Sequence, residues 1–137
     1  MSSEPTATSN LELARRYLRI LERDMADPEL PALFDPAYVF HEKPNRLNPN
    51  GRTLTMSAMH EVTAKAKQIV LEQSYVIKNA LAVGDEVALE VDWVGRFNLA
   101  FAPTPAGAPI RATLGMFLTF RAGKILSQRN YDCYDPF

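Results

Sequence analysis

The sequence predicts an α+β domain in which helices pack on one face of an antiparallel sheet. In the first half of the chain, apolar residues recur every three or four positions, as they do along one side of an α-helix. From about residue 70 the period changes to two, which is typical of strands, and short turn-forming pairs separate the strand segments. Helices that come first and hairpin-linked strands that follow favour separate helical and sheet layers.

Length and composition exclude several classes of protein. The 137 residues are enough for one globular domain with its own core. Fifteen Lys and Arg residues against sixteen Asp and Glu give a formal net charge of −1, so we expect neither nucleic acid nor a membrane surface as a partner. The single cysteine, Cys133, excludes an intrachain disulfide framework. The polar start, MSSEPTATSN, differs from a secretory signal, and we therefore expect a cytoplasmic protein.

The N-terminal segment predicts a tail followed by a helix. Residues 1–8 are rich in Ser, Thr and Pro and predict a disordered tail, which leaves residues 9–137 as the single domain. Ser9 and Glu12 have the capping-box spacing of a helix start. The apolar stripe behind them predicts a helix over residues 10–26.

Two further helices and a strand are predicted before the period changes. Asp27-Pro28 ends the first helix, and residues 29–34 predict a short second one. Residues 37–42 predict a strand, and the loop over 43–51 is rich in Pro and Asn. A third helix is predicted over 55–69, with an apolar side made of Met56, Met59, Val62, Ala66 and Ile69.

The second half of the chain predicts four strands. Gly84-Asp85 and Ala122-Gly123 have the composition of tight hairpin turns. A loop rich in proline, residues 101–109, separates the two hairpins. The strands span residues 71–83, 86–98, 110–121 and 124–134.

Several stretches resemble the SnoaL-like and ketosteroid isomerase-like branch of the nuclear transport factor 2-like superfamily. FDPAYVFHE resembles the first strand of that branch, EVDWVGRFN with the loop TPAGAPI its third strand, and MFLTFRAGKILSQRNYDCYDPF its closing hairpin. The resemblance covers residues 10–137. It implies a cone-shaped (cystatin-like) fold, in which a curved antiparallel sheet wraps around three N-terminal helices and encloses a pocket. It also implies a homodimer, formed through the outer sheet face, with Trp93 or Phe117 as an anchor.

The resemblance points to two catalytic candidates. His41 occupies the position at which ketosteroid isomerases carry their general base, and imidazole suits proton transfer near neutral pH. Asp132 matches a pocket-facing acid of SnoaL-like cyclases and limonene epoxide hydrolases. A carboxyl in an apolar cavity has a raised pKa and can act as an acid near neutral pH. Both residues could instead be purely structural.

The substrate-binding candidates follow from strand faces and from the same resemblance. Strand alternation places Asn130, Asp132 and Tyr134 on one face of the last strand. Tyr17 lies near the position of the oxyanion-hole tyrosine of the isomerases, whereas Met116, at the second oxyanion position, cannot donate a hydrogen bond. The full set of substrate-binding candidates is Tyr17, Tyr38, Glu90, Asp92, Met116, Leu118, Asn130 and Tyr134.

Glu90 and Asp92 lie where limonene epoxide hydrolases have an Arg-x-Asp pattern, but here the arginine is replaced by a glutamate. Either this face or the opposite face of strand 86–98 could line the pocket. In the polar loop after His41, Arg46 and the asparagine amides could bind a carboxylate or a hydroxyl group. Two histidines without a cysteine pair or an acidic loop do not have the spacing of metal ligands, so no metal site is predicted. The sequence also has no glycine-rich phosphate loop, so we expect no nucleotide cofactor.

These observations leave three functional hypotheses. The first is an acid–base isomerase or cyclase that needs no cofactor and acts on a small hydrophobic or cyclic molecule, with His41 as base and Asp132 as acid. The second is a binding or accessory module that uses the same pocket without chemistry. The third is a structural dimerisation domain whose interior is filled by its own side chains.

Overall fold

The computed structural model of the protein describes residues 4–137. It has two α-helices, one short 3-10 helix and six strands, in an order that confirms the predicted α+β class. The elements are α1 (Glu4–Arg23), the 3-10 helix (Leu30–Leu33), β1 (Phe34–Glu42), β2 (Arg52–Thr55), α2 (Met56–Ile69), β3 (Val70–Val83), β4 (Glu86–Phe97), β5 (Pro109–Arg121) and β6 (Lys124–Tyr134).

The six strands form one sheet in the order β2-β1-β6-β5-β4-β3. Strand β1 pairs with β6 in parallel, and the other neighbouring pairs are antiparallel. The sheet is therefore mixed, where an antiparallel sheet was predicted. A parallel pair needs a long crossover connection, and here that connection is everything from β2 to β5.

The helices differ from the prediction at their ends and in their number. Helix α1 already begins at Glu4, so residues 4–8 are helical and the predicted tail is wrong for them, while residues 1–3 lie outside the described part of the chain. Ser9 is consequently an interior residue of α1 rather than its cap. Only the four residues Leu30–Leu33 of the predicted second helix are helical, as a single 3-10 segment. Two α-helices thus replace the predicted three.

The core lies between α1 and the concave face of the sheet. Alternate residues of β4 and β5 point inward and pair across the two strands, with Leu89 opposite Met116 and Val91 opposite Leu114. From α1, Ala14 and Leu18 are buried against this face. Each large apolar side chain buried in this way stabilises the fold by about 1.5–3 kcal/mol. The opposite face of β4 and β5 is more exposed.

Two local features complete the architecture. The turn between β5 and β6 has Ala122 and Gly123 with φ of 49° and 76°, the conformation that a two-residue hairpin turn requires and that glycine adopts without strain. Strand β2 was not predicted, because its four residues lie directly before α2 and are too few to show a period. No helix within residues 4–137 is long and apolar enough to cross a membrane.

Candidate functional site

A cavity of about 530 Å³ lies between the concave face of the sheet and the two α-helices. Its walls are largely apolar, with side chains that come from both helices and from strands β1, β4 and β5. Representative members of these walls are Leu21, Met59, Phe40, Trp93, Phe97 and Leu114. Polar side chains come from β6, from the end of β1 and from the first residue of β2, and also from both helices, the loops and β3. A largely apolar chamber with several polar groups is typical of a small-molecule site.

Strand β6 supplies one row of polar side chains to this cavity. Gln128, Asn130, Asp132 and Tyr134 alternate along the strand and all line the cavity. Strand β6 lies between β1 and β5, so its inward row is held on both sides by hydrogen-bonded neighbours. The neighbouring strands therefore fix the position of this row, in which every second residue of β6 from Gln128 to Tyr134 has a polar side chain.

A chain of hydrogen bonds connects the residues of this row to two buried tyrosines. The Tyr17 and Tyr38 hydroxyls donate to Oε1 of Gln128, at 2.7 Å and 3.1 Å. Gln128 Nε2 donates to Asn130 Oδ1 at 2.9 Å, and Asn130 Nδ2 donates to Asp132 Oδ1 at 3.3 Å. Burial raises the pKa of both tyrosines, so their hydroxyls stay neutral and act as donors.

Asp132 is a carboxyl of the cavity wall whose pKa departs from its ordinary value. Burial raises its pKa to about 6, and repulsion from the Glu42 carboxylate acts in the same direction. The hydrogen bond from Asn130 and the charge of Arg52 act in the opposite direction, to a smaller extent. A carboxyl with a pKa near 6 exists in both protonation states at neutral pH and can therefore accept or donate a proton.

Glu42 is a second buried carboxyl in the cavity wall, but it is held differently. Its side chain accepts hydrogen bonds from Arg52 Nε at 2.9 Å, Asn45 Nδ2 at 2.7 Å and Asn48 Nδ2 at 2.7 Å. Arg52 lies directly opposite Glu42 in the β1–β2 pair, which positions the ion pair. These donors compensate the charge that burial would otherwise make costly.

Aromatic residues form the wall next to Asp132. The Trp93 ring packs edge-on to the Tyr134 ring, with centroids 6.0 Å apart. Gln73 Oε1 accepts hydrogen bonds from Trp93 Nε1 and from the Tyr75 hydroxyl, at 3.1 Å and 3.2 Å. Burial also raises the pKa of Tyr75 and Tyr134, and both phenols are neutral at physiological pH.

The structure places His41 away from the cavity, and its predicted position in the pocket is wrong. His41 is exposed, with Nδ1 at 3.4 Å from Thr53 Oγ1. In the second half of β1 the buried residues are Tyr38, Phe40 and Glu42, so strand alternation turns His41 to the other face. The neighbouring carboxyl, Glu42, occupies the inward position that was assigned to His41.

Four substrate-binding candidates also lie elsewhere than predicted. Glu90 and Asp92 are exposed on the outer face of β4, where Lys78 Nζ lies 3.6 Å from Asp92 Oδ2. Leu118 and Tyr38 are buried in the core and do not line the cavity. The remaining candidates, Tyr17, Met116, Asn130 and Tyr134, line the cavity together with Asp132. Arg46, suggested as a carboxylate ligand, donates instead to the backbone oxygen of Phe137 at 2.8 Å and covers its ring.

The predicted site residues do not include several polar residues of the cavity, among them Glu42, Gln128 and Arg52. Glu42 could have been found from the alternation of Tyr38 and Phe40 in its own strand. Gln128 shares the face of Asn130 and Asp132 but was not selected. Nothing local marks Arg52, whose position depends on pairing with β1. Among residues 4–137, no three His, Cys, Asp or Glu side chains gather as metal ligands would.

The architecture is that of the nuclear transport factor 2-like fold class. Within that class the chain belongs to the SnoaL-like domain family, whose model matches residues 14–128. No curated protein matches the chain at a significant level.

Solved structures support the fold. IdmH from Streptomyces antibioticus, provisionally named a polyketide cyclase, superposes with a TM-score of 0.72 at 18% identity, over 90% of this chain and 91% of that one. AclR from Streptomyces galilaeus, provisionally named a hydroxylase, gives a TM-score of 0.75 at 16% identity, over 95% and 82%. A protein from Catenulispora acidiphila with a ketosteroid isomerase-like fold gives a TM-score of 0.69 at 19% identity, over 88% and 84%. At these identities the likeness concerns the fold alone.

Proposed function

We propose that the protein is an acid–base catalyst of the isomerase or cyclase type, acting on a small, mostly apolar cyclic molecule, with Asp132 as the group that moves the proton. The observation that carries this proposal is the Asp132 carboxyl, whose pKa is raised to about 6 in the wall of an otherwise largely apolar cavity. The polyketide cyclase name of IdmH supports the choice of a cyclic, polyketide-like substrate class.

The chemistry follows from the protonation states of two neighbouring side chains. The Asp132 carboxylate takes a proton from a carbon next to a carbonyl group, and the electron pair of the broken C–H bond moves to the carbonyl oxygen as an enolate. The neutral hydroxyl of Tyr134 donates a hydrogen bond to that oxygen. Protonated Asp132 then returns the proton at another position, which gives an isomer. In a cyclase, the enolate carbon attacks a second carbonyl of the same molecule, whose oxygen takes the proton.

Exchange of deuterium into a simple ketone tests this assignment. 2-Tetralone is a flat cyclic ketone with acidic protons next to its carbonyl, and the loss of their proton signals in D₂O is followed by NMR near neutral pH. We expect the wild-type protein to accelerate the exchange, and Asp132→Asn to lose a factor of about 10² to 10⁴ of that acceleration. Asp135→Asn, at an exposed position three residues further along the chain, is the matched control and keeps it.

Equal exchange rates in the wild type and in Asp132→Asn would refute the role of Asp132.

A second candidate function, a binding module without chemistry, is favoured by the exposed position of His41, which leaves Asp132 without its predicted partner. Trp93 is the single tryptophan and lines the cavity, so its fluorescence reports occupancy. A fluorescence change with 2-tetralone, with no exchange above the buffer rate, is the outcome that this alternative predicts.

The homodimer expected from the family stays a proposal. Phe117 and Tyr131 are 40% and 45% exposed on the outer face, and their rings pack edge-on with centroids 5.8 Å apart. Trp93, the other expected anchor, is buried and lines the cavity, so its expected place in an interface is wrong. If the outer face pairs with a second copy, Phe117→Arg should lower the mass measured by sedimentation equilibrium to that of one chain. An unchanged mass would contradict this interface.

A further inference from the structure

The hydrogen bonds that end at Asp132 run in one direction. Gln128 Oε1 accepts from the two tyrosines, and the same amide group then donates through Nε2 to Asn130. Asn130 repeats this pattern toward Asp132, by accepting at Oδ1 and donating at Nδ2. Gln128 and Asn130 are 3% and 7% exposed, so within the protein these partners replace water. We call Tyr17, Tyr38, Gln128 and Asn130 the donor chain.

The ionised form of Asp132 determines this direction. A carboxylate can only accept hydrogen bonds, so Asn130 must present its NH₂ group to Asp132 and its oxygen to Gln128. Gln128 must then present its own NH₂ group to Asn130, which leaves its oxygen toward the tyrosines. The two hydroxyls complete the chain as donors. A reversed amide at Gln128 would put its oxygen against the Asn130 oxygen, so that neither atom has a donor.

We propose that Gln128 is a positioning residue for Asp132: its amide, oriented by the Tyr17 and Tyr38 hydroxyls, holds Asn130 with its NH₂ group toward the Asp132 carboxylate. The inference rests on the part that Asp132 plays in the proposed function. Gln128 acts through Asn130, since its own polar atoms are engaged with the tyrosines and with Asn130. The donor chain thereby stabilises the ionised carboxyl of Asp132 through the Asn130 amide.

Charged and titratable groups on the other elements also act on Asp132. Glu42 from β1 disfavours its charged form and Arg52 from β2 favours it. Tyr75 from β3 and Tyr134 from β6 lie near enough for their pKa values to respond to the charge of Asp132. None of these four belongs to the donor chain, so a neutral substitution at Gln128 leaves their charges in place.

A double-mutant cycle on the full chain tests the proposal. Gln128→Met removes the amide at similar length and adds no charge, and Asn130→Leu removes the direct donor. The Asp132 carboxyl is titrated by NMR after ¹³C labelling of aspartate, and its signal is identified by its absence in Asp132→Asn. We expect each single variant to move the titration midpoint up by about one pH unit. The double variant should match Asn130→Leu alone, because Gln128 acts only through Asn130.

Leu118→Met is the matched control. Leu118 lies directly opposite Gln128 in the β5–β6 pair and is fully buried, so the variant perturbs packing at the same depth without touching a polar group. We expect its midpoint to equal that of the wild type. If Gln128→Met does not fold, the double variant Tyr17→Phe and Tyr38→Phe removes the donors at the far end instead, and should move the midpoint in the same direction.

Three outcomes would overturn the proposal. The first is a titration midpoint of Asp132 in Gln128→Met that equals the wild-type midpoint; where Gln128→Met does not fold, the double phenylalanine variant takes its place. The second is a shift in the Gln128→Met and Asn130→Leu double variant that equals the sum of the single shifts, and the third is the same shift in Leu118→Met. Its failure differs from that of the proposed function. If the midpoint ignores Gln128 but 2-tetralone exchange still depends on Asp132, the donor chain is refuted and the catalytic role stands. If the midpoint follows Gln128 while Asp132→Asn exchanges at the wild-type rate, the positioning of Asp132 stands and its catalytic role does not.

Discussion

Replacing Asp132 by asparagine should make the protein more stable at neutral pH than the wild type. Burial raises the pKa of Asp132 from 3.8 to about 6, so the folded protein holds this proton more firmly than the unfolded chain does. The stability that results is fully present below about pH 4 and is lost as the pH rises through 6. Asparagine does not titrate, and it can still accept the hydrogen bond from Asn130.

The size of the effect follows from the two pKa values. The interval from 3.8 to about 6, at about 1.4 kcal/mol per pH unit, corresponds to about 3 kcal/mol of unfolding free energy. Most of it, about 2 kcal/mol, falls between pH 4 and pH 8. The contributions of groups that do not interact with Asp132 cancel in the difference between variant and wild type.

Urea unfolding at several values between pH 4 and pH 8 measures this difference, with the fluorescence of Trp93 as the signal. The free energy of unfolding of Asp132→Asn, minus that of the wild type, should rise by about 2 kcal/mol across the range. The same difference for Asp135→Asn, at an exposed position, should stay constant. A constant difference for Asp132→Asn as well would show that burial does not raise the pKa of Asp132, and the acid–base argument would lose its basis.

Three further predictions concern the framework of the site. Asp35 accepts two hydrogen bonds from Arg121, at 2.8 Å and 3.0 Å, and these lower its pKa. In urea unfolding the wild type should therefore be more stable than Asp35→Asn near neutral pH and should lose this advantage below about pH 4. In Gly95→Ala the new Cβ would overlap the Trp93 ring, so the ring must move. We expect a shifted fluorescence maximum and a loss of about 1–3 kcal/mol in the free energy of unfolding, and an unshifted maximum would contradict this packing. Leu118→Ala should cost about 2–5 kcal/mol in urea unfolding and leave 2-tetralone binding unchanged, because Leu118 is fully buried outside the cavity wall; weakened binding would argue against that placement.

Residues within one regular strand could be assigned to a face from the sequence. In β6, alternation groups Asn130, Asp132 and Tyr134, and the structure has all three on the cavity side. The same rule applied to β1 would have turned Glu42 inward and His41 outward. The resemblance of FDPAYVFHE to the isomerase strand took precedence over alternation, which is why the histidine was selected. Sequence similarity transfers a fold more safely than a single side-chain role.

The rest of the site depends on contacts between distant segments. Arg52 reaches the cavity because β2 pairs with β1, and Glu42 comes near Asp132 because β1 lies parallel to β6. No local period encodes either pairing, since β2 has four residues and the β1–β6 crossover spans most of the chain. For β4 both faces were open possibilities. The inward face contains Val91 and Trp93, so the acidic residues at positions 90 and 92 point outward.

The two carboxyls of the cavity owe their different environments to this arrangement. Glu42 receives hydrogen bonds from Arg52, Asn45 and Asn48, at distances of 2.7 to 2.9 Å. Within residues 4–137, Asp132 receives one side-chain hydrogen bond, the longer one of 3.3 Å from Asn130. Arg52, Asn45 and Asn48 thus donate to Glu42 and not to Asp132. The Glu42 carboxylate repels the ionised form of Asp132 and so helps to keep Asp132 partly protonated. Two carboxyls with such unequal partners are the condition that the proposed acid–base role of Asp132 requires, with Glu42 as its structural neighbour.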